Sequence, residues 1–231
     1  MAARSGVVLF DLDGTLVETL PDLHRATCEL LAEEGLEPLS ADEVRRMIGD
    51  GARVLVERAF ARRGRPLGDG ELERLYARFL ELYEADPVSG SHVVDGIPEA
   101  LDSLRAAGAR LAVVTNKPQR PSLAILETFD LLSHFDLVLG GDLLPRRKPD
   151  PLPLLHALER LGGTPAGSVM VGDSRNDRLA ARAAGVPCIL RSFGYGEVEP
   201  AALDPDALVD DMRTLPRVVA ALLDGRGERG A

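Results

Sequence analysis

The chain has 231 residues, a formal charge of −10 at pH 7, 45% hydrophobic residues and a mean hydropathy of −0.01. That composition supports a sizeable buried core, and the length suits one large α/β domain or a core with a smaller insertion. The acidic balance argues against a general nucleic-acid or anionic-membrane surface, but not against an anionic small ligand, because a local cation or metal inverts the field at a site.

Met1-Ala2-Ala3-Arg4-Ser5-Gly6 leads into the first apolar run without a secretory pattern, and no stretch is long and apolar enough to span a bilayer. The two cysteines, Cys28 and Cys188, lack metal-ligand spacing, so a reduced, cytoplasmic protein is the expectation. The first run, Val7-Val8-Leu9-Phe10, reads as a strand buried on both faces. It ends at Asp11-Leu12-Asp13-Gly14-Thr15-Leu16, with two carboxylates two residues apart. Ionised carboxylates are costly to bury without partners. Strand side chains alternate, so Asp11 and Asp13 point the same way if the strand continues. The Gly14-Thr15 turn then projects both into the crevice beyond the strand's C-terminal end, where open α/β sheets bind ligands. Such a pair suits a metal-assisted nucleophile and a proton-transfer partner.

Residues from about 17 to 90 hold helical patterns and no strong strand. Helices are predicted over 21–34, 41–48, 53–62 and 71–84. The first carries Leu23, Ala26, Thr27, Leu30 and Leu31 at helical spacing, and the last has Leu72, Leu75, Tyr76, Phe79, Leu80 and Tyr83 on one face. This reads as an all-helical insertion, with 17–20 and 86–95 as its boundary segments. Within it, Ile48-Gly49-Asp50-Gly51-Ala52-Arg53 separates two helices. Its glycines allow close backbone approach to a ligand. The helix starting near Ala52 points its positive N-terminus at the loop, suited to a carboxylate. Arg53, or Arg45 or Arg46, would add a bidentate contact.

Beyond residue 90, apolar runs at 111–115, Leu137–Leu139, 169–171 and 186–190 alternate with helical patterns at 98–107, 121–129, 151–161 and 177–184. Gly108, Gly162 and Gly185 mark helix ends. Alternation of this kind predicts a parallel sheet with helices on both faces. The tail, Gly225 to Ala231, is expected to fray.

Polar clusters follow four of the runs: Asp11 and Asp13; Thr115-Asn116-Lys117; Lys148-Pro149; and Gly172-Asp173-Ser174-Arg175-Asn176-Asp177. In a parallel sheet these loops share one edge. Carboxylates, a hydroxyl, an amide and an ammonium then converge, as phosphoryl binding beside a divalent metal requires. Lys148 adds positive charge there and is expected to lower the pKa of Asp11. Each cluster alone has a bland reading: turn acids, a strand-to-helix cap, a solvated lysine, a helix N-terminal acid at Asp177. Four together favour the functional one. The scattered His24, His92, His134 and His156 read as surface or satisfied histidines, and Cys28 as packing.

With these four motifs in order, the sequence resembles the haloacid dehalogenase superfamily over residues 5–223, and within it the phosphoglycolate phosphatases. The resemblance implies a Rossmann-like α/β core over 1–16 and 91–231 with a helical cap over 17–90. It implies Asp11 as nucleophile, forming an aspartyl-phosphate. Asp13 would be the acid and base and offer its carbonyl to Mg²⁺, with Asp173 and Asp177 as further metal residues. Thr115, Asn116 and Lys148 would hold phosphoryl oxygens. The loop of Gly49, Gly51 and Arg53 would read the rest of the substrate. Asp13 favours phosphate-ester over carbon–halogen cleavage, because an alkoxide needs a proton. Phosphonate cleavage in the family uses a cap lysine, and residues 17–116 contain none. The expected partner is a small phosphate ester, most of all 2-phosphoglycolate, without nucleic acid or membrane. Another small ester, a phosphomutase, an idle phospho-ligand-binding regulator and a homodimer stay open.

Overall fold

The computed structural model describes residues 6–227. β1 (Val7–Phe10) is followed by the short β2 (Val17–Glu18) and four helices, α1 (Leu20–Glu33), α2 (Ala41–Met47), α3 (Ala52–Arg62) and α4 (Asp69–Ala85). β3 (His92–Val93) returns antiparallel to β2, with Val17 opposite Val93 and Glu18 opposite His92. Then come α5 (Ile97–Ala106), β4 (Arg110–Val114), α6 (Gln119–Thr128), β5 (Leu137–Leu139), α7 (Leu152–Leu161), β6 (Ser168–Gly172), α8 (Arg175–Ala184), β7 (Cys188–Arg191), β8 (Ala207–Val209) and α9 (Leu215–Gly227).

Six strands form one parallel sheet in the order β5-β4-β1-β6-β7-β8. β1 is therefore central, and all four of its residues are buried. Alternation sends Val8 and Phe10 into one apolar layer and Val7 and Leu9 into the other. The first layer lies with α5, α9 and the helices inserted between β2 and β3; the second lies with α7 and α8. Burial on both faces explains why these strands read as unbroken apolar runs rather than alternating ones.

The insertion is helical, as the spacing predicts. Leu23, Ala26, Thr27, Leu30 and Leu31 of α1 are all buried. Leu72, Leu75, Phe79 and Tyr83 of α4 are buried too, while Tyr76 and Leu80 are partly covered. Ser40 and Glu43 form a reciprocal capping box at the start of α2. Four elements lie outside the sequence expectations: β2, β3, β8 and α9. α9 runs through 225–227 of the tail expected to fray; residues 228–231 and the opening Met1 to Ser5 lie outside the described residues.

Candidate active site

Asp11 directly follows β1, and its backbone N–H donates to Val171 O at 2.9 Å, so the strand's pairing with β6 extends to it. Its Oδ1 accepts from Leu12 N at 2.7 Å and faces Lys148 Nζ at 3.1 Å. Lys148 is 2% exposed, and its Nζ also meets Asp177 Oδ1 at 2.6 Å. The Lys148–Pro149 peptide bond is cis. Asp177 Oδ2 accepts from the backbone of Asp173 and Ser174 at 3.2 and 3.0 Å and from the Ser174 hydroxyl at 2.7 Å. Asp177 therefore ties α8 to Lys148, and Lys148 ties Asp177 to Asp11.

Asp173 is equally fixed. Tyr195 N donates to its Oδ2 at 2.7 Å and the Thr15 hydroxyl to its Oδ1 at 3.3 Å. Gly14 makes this approach possible. Its φ of +78° suits glycine, and a Cβ there would lie 2.3 Å from Asp173 Oδ2.

Asp13 sits among other donors. Thr19 Oγ1 donates to its Oδ1 at 2.7 Å, and Lys117 Nζ lies 3.1 Å from the same oxygen. Lys117 is 5% exposed, and its Nζ stands 4.4 Å from the centre of the Tyr83 ring. Burial opposes the charge on Lys117, yet Asp13 and Tyr83 outweigh it and raise the ammonium's pKa. Burial likewise disfavours charge on Lys148, but Asp11 and Asp177 push its pKa up to about 12.

The acids respond the other way. Burial raises the Asp11 carboxyl to about 7, with Lys148 pulling against it and Asp177 and Asp13 adding to the rise. The sequence expectation that Lys148 lowers Asp11 is thus met by a larger opposing cause, desolvation. Burial, with Asp177 and Asp11 nearby, also raises Asp173 well above the ordinary carboxylate range. Four carboxylates, those of Asp11, Asp13, Asp173 and Asp177, face two ammoniums.

That imbalance fits a hard divalent cation. Asp11, Asp173 and Asp177 are buried, and each offers a carboxylate oxygen within 4.8 Å of the others. The donor set is all oxygen, as Mg²⁺ prefers. Asp177 is the most heavily engaged of the three, with Lys148 on one oxygen and three N–H or O–H donors on the other.

These groups border a narrow cleft between the sheet edge and the helical insertion. The core lines it with Asp11, Asp13, Thr115, Asn116, Lys117, Asp173, Ser174 and Tyr195, and the insertion with Leu23, Ile48, Gly49, Gly51, Ala52 and Leu55. Thr115 Oγ1 accepts from Lys117 N at 3.1 Å, which leaves its own proton free to point elsewhere. Asn116 departs from the expected role. Its amide donates to Gly49 O and to Lys148 O, both at 2.8 Å, so both N–H groups hold loops rather than reach for a phosphoryl oxygen. Its Oδ1 is buried without a partner among the described residues. Asn176 donates to the same Gly49 carbonyl at 3.0 Å and to Asp50 Oδ1 at 2.7 Å. Gly51 has φ +85°, and a Cβ there would lie 3.0 Å from Asn116 O. Arg53 does not line the cleft; its Nε binds Glu73 Oε1 at 2.7 Å, because on α3 it faces α4. Of its expected alternatives, Arg45 lies over the Tyr195 ring at 5.7 Å and Arg46 pairs with Asp42 at 2.7 Å.

Sequence reasoning assigned no role to Lys117, Thr15, Thr19, Tyr83, Asn176 or Tyr195. Lys117 was visible as the last residue of the Thr115-Asn116-Lys117 cluster; Tyr83 and Tyr195 arrive from distant parts of the chain and carried no local signal.

The pattern of the haloacid dehalogenase-like hydrolase family matches residues 8–190. A phosphoglycolate phosphatase of Caulobacter vibrioides is 44% identical over 220 residues, covering 95% of this chain and 93% of the relative. One from Rhodospirillum rubrum is 45% identical over 214 residues, covering 90% and 88%. Among solved structures, a "predicted phosphoglycolate phosphatase" of Haemophilus somnus superposes with a TM-score of 0.88 at 33% identity, covering 94% of this chain and 99% of that one. With a parallel sheet, four motif loops on one edge and a helical insertion over them, the chain belongs to the haloacid dehalogenase-like hydrolases and is an enzyme.

Proposed function

We propose that this enzyme is a phosphatase that splits a small phosphate monoester, 2-phosphoglycolate first among candidates, into an alcohol and inorganic phosphate. The observation that carries this reading is the buried Lys148 ammonium, 3.1 Å from Asp11 and 2.6 Å from Asp177 at the edge of the cleft. A carboxylate that attacks phosphorus must be freed from repulsion by the phosphate, and a fixed cation beside it serves both charges. The relatives' names and the small cleft support the substrate.

Asp11 attacks phosphorus through a carboxylate oxygen, and the bond from phosphorus to the ester oxygen breaks. Its electron pair stays on the leaving oxygen, which takes a proton from the Asp13 carboxyl group. Water then attacks phosphorus and gives its proton to Asp13, the bond from phosphorus to the Asp11 oxygen breaks with its electron pair returning to the carboxylate, and phosphate leaves. Lys148 and Thr115 hold phosphoryl oxygens. Mg²⁺ supplies charge neutralisation when bound by Asp11, Asp173 and the Asp13 carbonyl, with Asp177 alongside.

Residues 1–16 and 91–231 are the core in this reading, and 17–90 the cap that shields the reaction from water. The cap presents only apolar side chains and the backbone of the Gly49–Gly51 loop to the cleft. A second phosphate, which a sugar-bisphosphate mutase must hold, meets no cap cation there, so hydrolysis is the favoured reaction. The loop and the start of α3 read the substrate's carboxylate. The two free cysteines suit a cytoplasmic setting, and among the described residues no helix is long and apolar enough to cross a membrane.

A phosphate-release screen of 2-phosphoglycolate, sugar phosphates and pyrophosphate, each with and without Mg²⁺, tests the reading. It predicts Mg²⁺-dependent release with kcat/KM highest for 2-phosphoglycolate; a higher value for a sugar phosphate or pyrophosphate displaces it. Gly51→Ala strains a left-handed residue against Asn116 O and should lower that preference about tenfold. An unchanged order of esters removes the loop from recognition.

A further inference from the structure

Lys117 and Lys148 are the only lysines in the chain; every other side-chain cation of permanent charge is arginine. Both are buried, and each is set on one acid of the Asp11–Asp13 pair. Lys148 has the role that its motif implies. Lys117 has none. Its ammonium donates to Asp13 Oδ1 at 3.1 Å and reaches Oδ2 at 3.5 Å. Its far side meets the Tyr83 ring, in the last turn of α4, at 4.4 Å. Tyr83 is 1% exposed, and its ring stacks on Phe79 at 6.0 Å. The Tyr83 hydroxyl makes no hydrogen bond of full geometry among the described residues, and the ring face and the phenol oxygen both attract the ammonium. A compact ammonium with three rotatable donors fits between a carboxylate and a ring, where a planar guanidinium would need a wider gap.

We propose that Lys117 is the positioning residue of Asp13, and that Tyr83 makes this positioning depend on the seated cap. Lys117 fixes the plane of the Asp13 carboxyl group from one side while Thr19 fixes it from the other. Withdrawal of α4 removes the ring, and the ammonium loses its second contact. Lys117 neither gains nor loses a proton in the reaction; the proton passes between Asp13 and the leaving oxygen, or between water and Asp13. The proposal rests on Asp13 as the proton carrier.

The test compares kcat/KM, which reports the steps through departure of the alcohol, for three esters in the presence of Mg²⁺. 2-Phosphoglycolate and ethyl phosphate have alkoxide leaving groups that need a proton; p-nitrophenyl phosphate has one that does not. In Lys117→Met the ratio of ethyl to p-nitrophenyl phosphate should fall about 10- to 100-fold, and that of 2-phosphoglycolate to p-nitrophenyl phosphate alike. Tyr83→Leu should lower both ratios in the same direction by less, and Lys117→Arg should recover part of the loss. An equal loss for all three esters means a structural role and overturns the proposal. A loss confined to 2-phosphoglycolate means that Lys117 binds the substrate's carboxylate, and overturns it too. An unchanged ratio in Tyr83→Leu removes the dependence on the cap. Asp13→Asn separates the underlying reading: if it spares the alkyl esters, Asp13 is not the proton carrier and the proposal falls with it. If Asp13→Asn abolishes alkyl cleavage while Lys117→Met leaves the ratios intact, only the role of Lys117 fails.

Discussion

A lysine that is 2% exposed and shared by two aspartates cannot be replaced quietly. Removing one partner of a buried ion pair leaves uncompensated charge, which costs about 3–5 kcal/mol. Lys148→Met should therefore lower unfolding free energy at pH 7 by about 3 kcal/mol, measured by denaturant titration, with protonation of Asp11 absorbing the remainder. The same variant should lose at least about a hundredfold in kcat, because an ammonium aimed at developing phosphoryl charge is gone. A variant that unfolds at wild-type denaturant would show that the aspartates find other compensation. Legibility at this scale follows sequence distance. Asp11, Asp13 and Asp173 stand out because each lies at or just past the end of an apolar run, and Lys148 because it precedes a proline in the loop after another. The Lys117 contact to Asp13 spans 104 positions, and only the folded sheet edge brings the two loops together. Asn116 shows the converse: its type and place suggest a phosphoryl donor, yet its donors are spent on the Gly49 and Lys148 carbonyls.

Elements with a long apolar face were readable, and those without one were not. β1, β4, β6 and β7 are largely buried runs, β5 is an apolar run half-buried at the sheet edge, and α1 and α4 carry clear stripes. β2 and β3 are two residues each, too short to show a period of two. β8 is a three-residue edge strand with one exposed residue, and α9 opens at Leu215-Pro216 and runs into glycine and arginine. α2 was legible as a helix, and its stability has an electrostatic part. Glu43 accepts from Ser40 N at 2.9 Å and from Arg62 Nε at 2.9 Å. The Ser40 backbone contact, with Arg62 and Arg63, lowers its pKa from 4.5 to about 2. A carboxyl group whose pKa falls on folding stabilises the fold above its unfolded pKa and loses that contribution as pH drops through the folded value. Glu43→Gln should thus lower Tm at pH 7, and the gap to wild type should close between pH 4.5 and 2. A gap that stays constant through that window would assign the effect to packing of the side chain.

On the scale of the whole molecule, an acidic chain gathers four of its carboxylates at one sheet edge and answers them with two ammoniums. Repulsion among the acids works against the fold until a cation joins them. Mg²⁺ should therefore raise Tm, by the equivalent of about 2.7 kcal/mol at a hundred times its Kd, and a chelator should reverse the rise. Asp173→Asn should abolish most of the Mg²⁺ response in a thermal melt, whereas an undiminished response would place the cation elsewhere. The helical insertion meets this edge through backbone as well as charge: one carbonyl, that of Gly49, takes an amide from Asn116 and another from Asn176, while Glu84 pairs with Arg120 at 3.3 Å.

The use of arginine everywhere outside the cleft has an outcome unrelated to turnover. With Lys117 and Lys148 both buried, the folded surface offers no ε-amine at all. Acylating agents, aldehydes and sugars that seek lysine meet no exposed ε-amine while the protein is intact. Incorporation of such a reagent at either lysine therefore counts molecules that have opened, and a labelling time course reads the opening of the cleft directly.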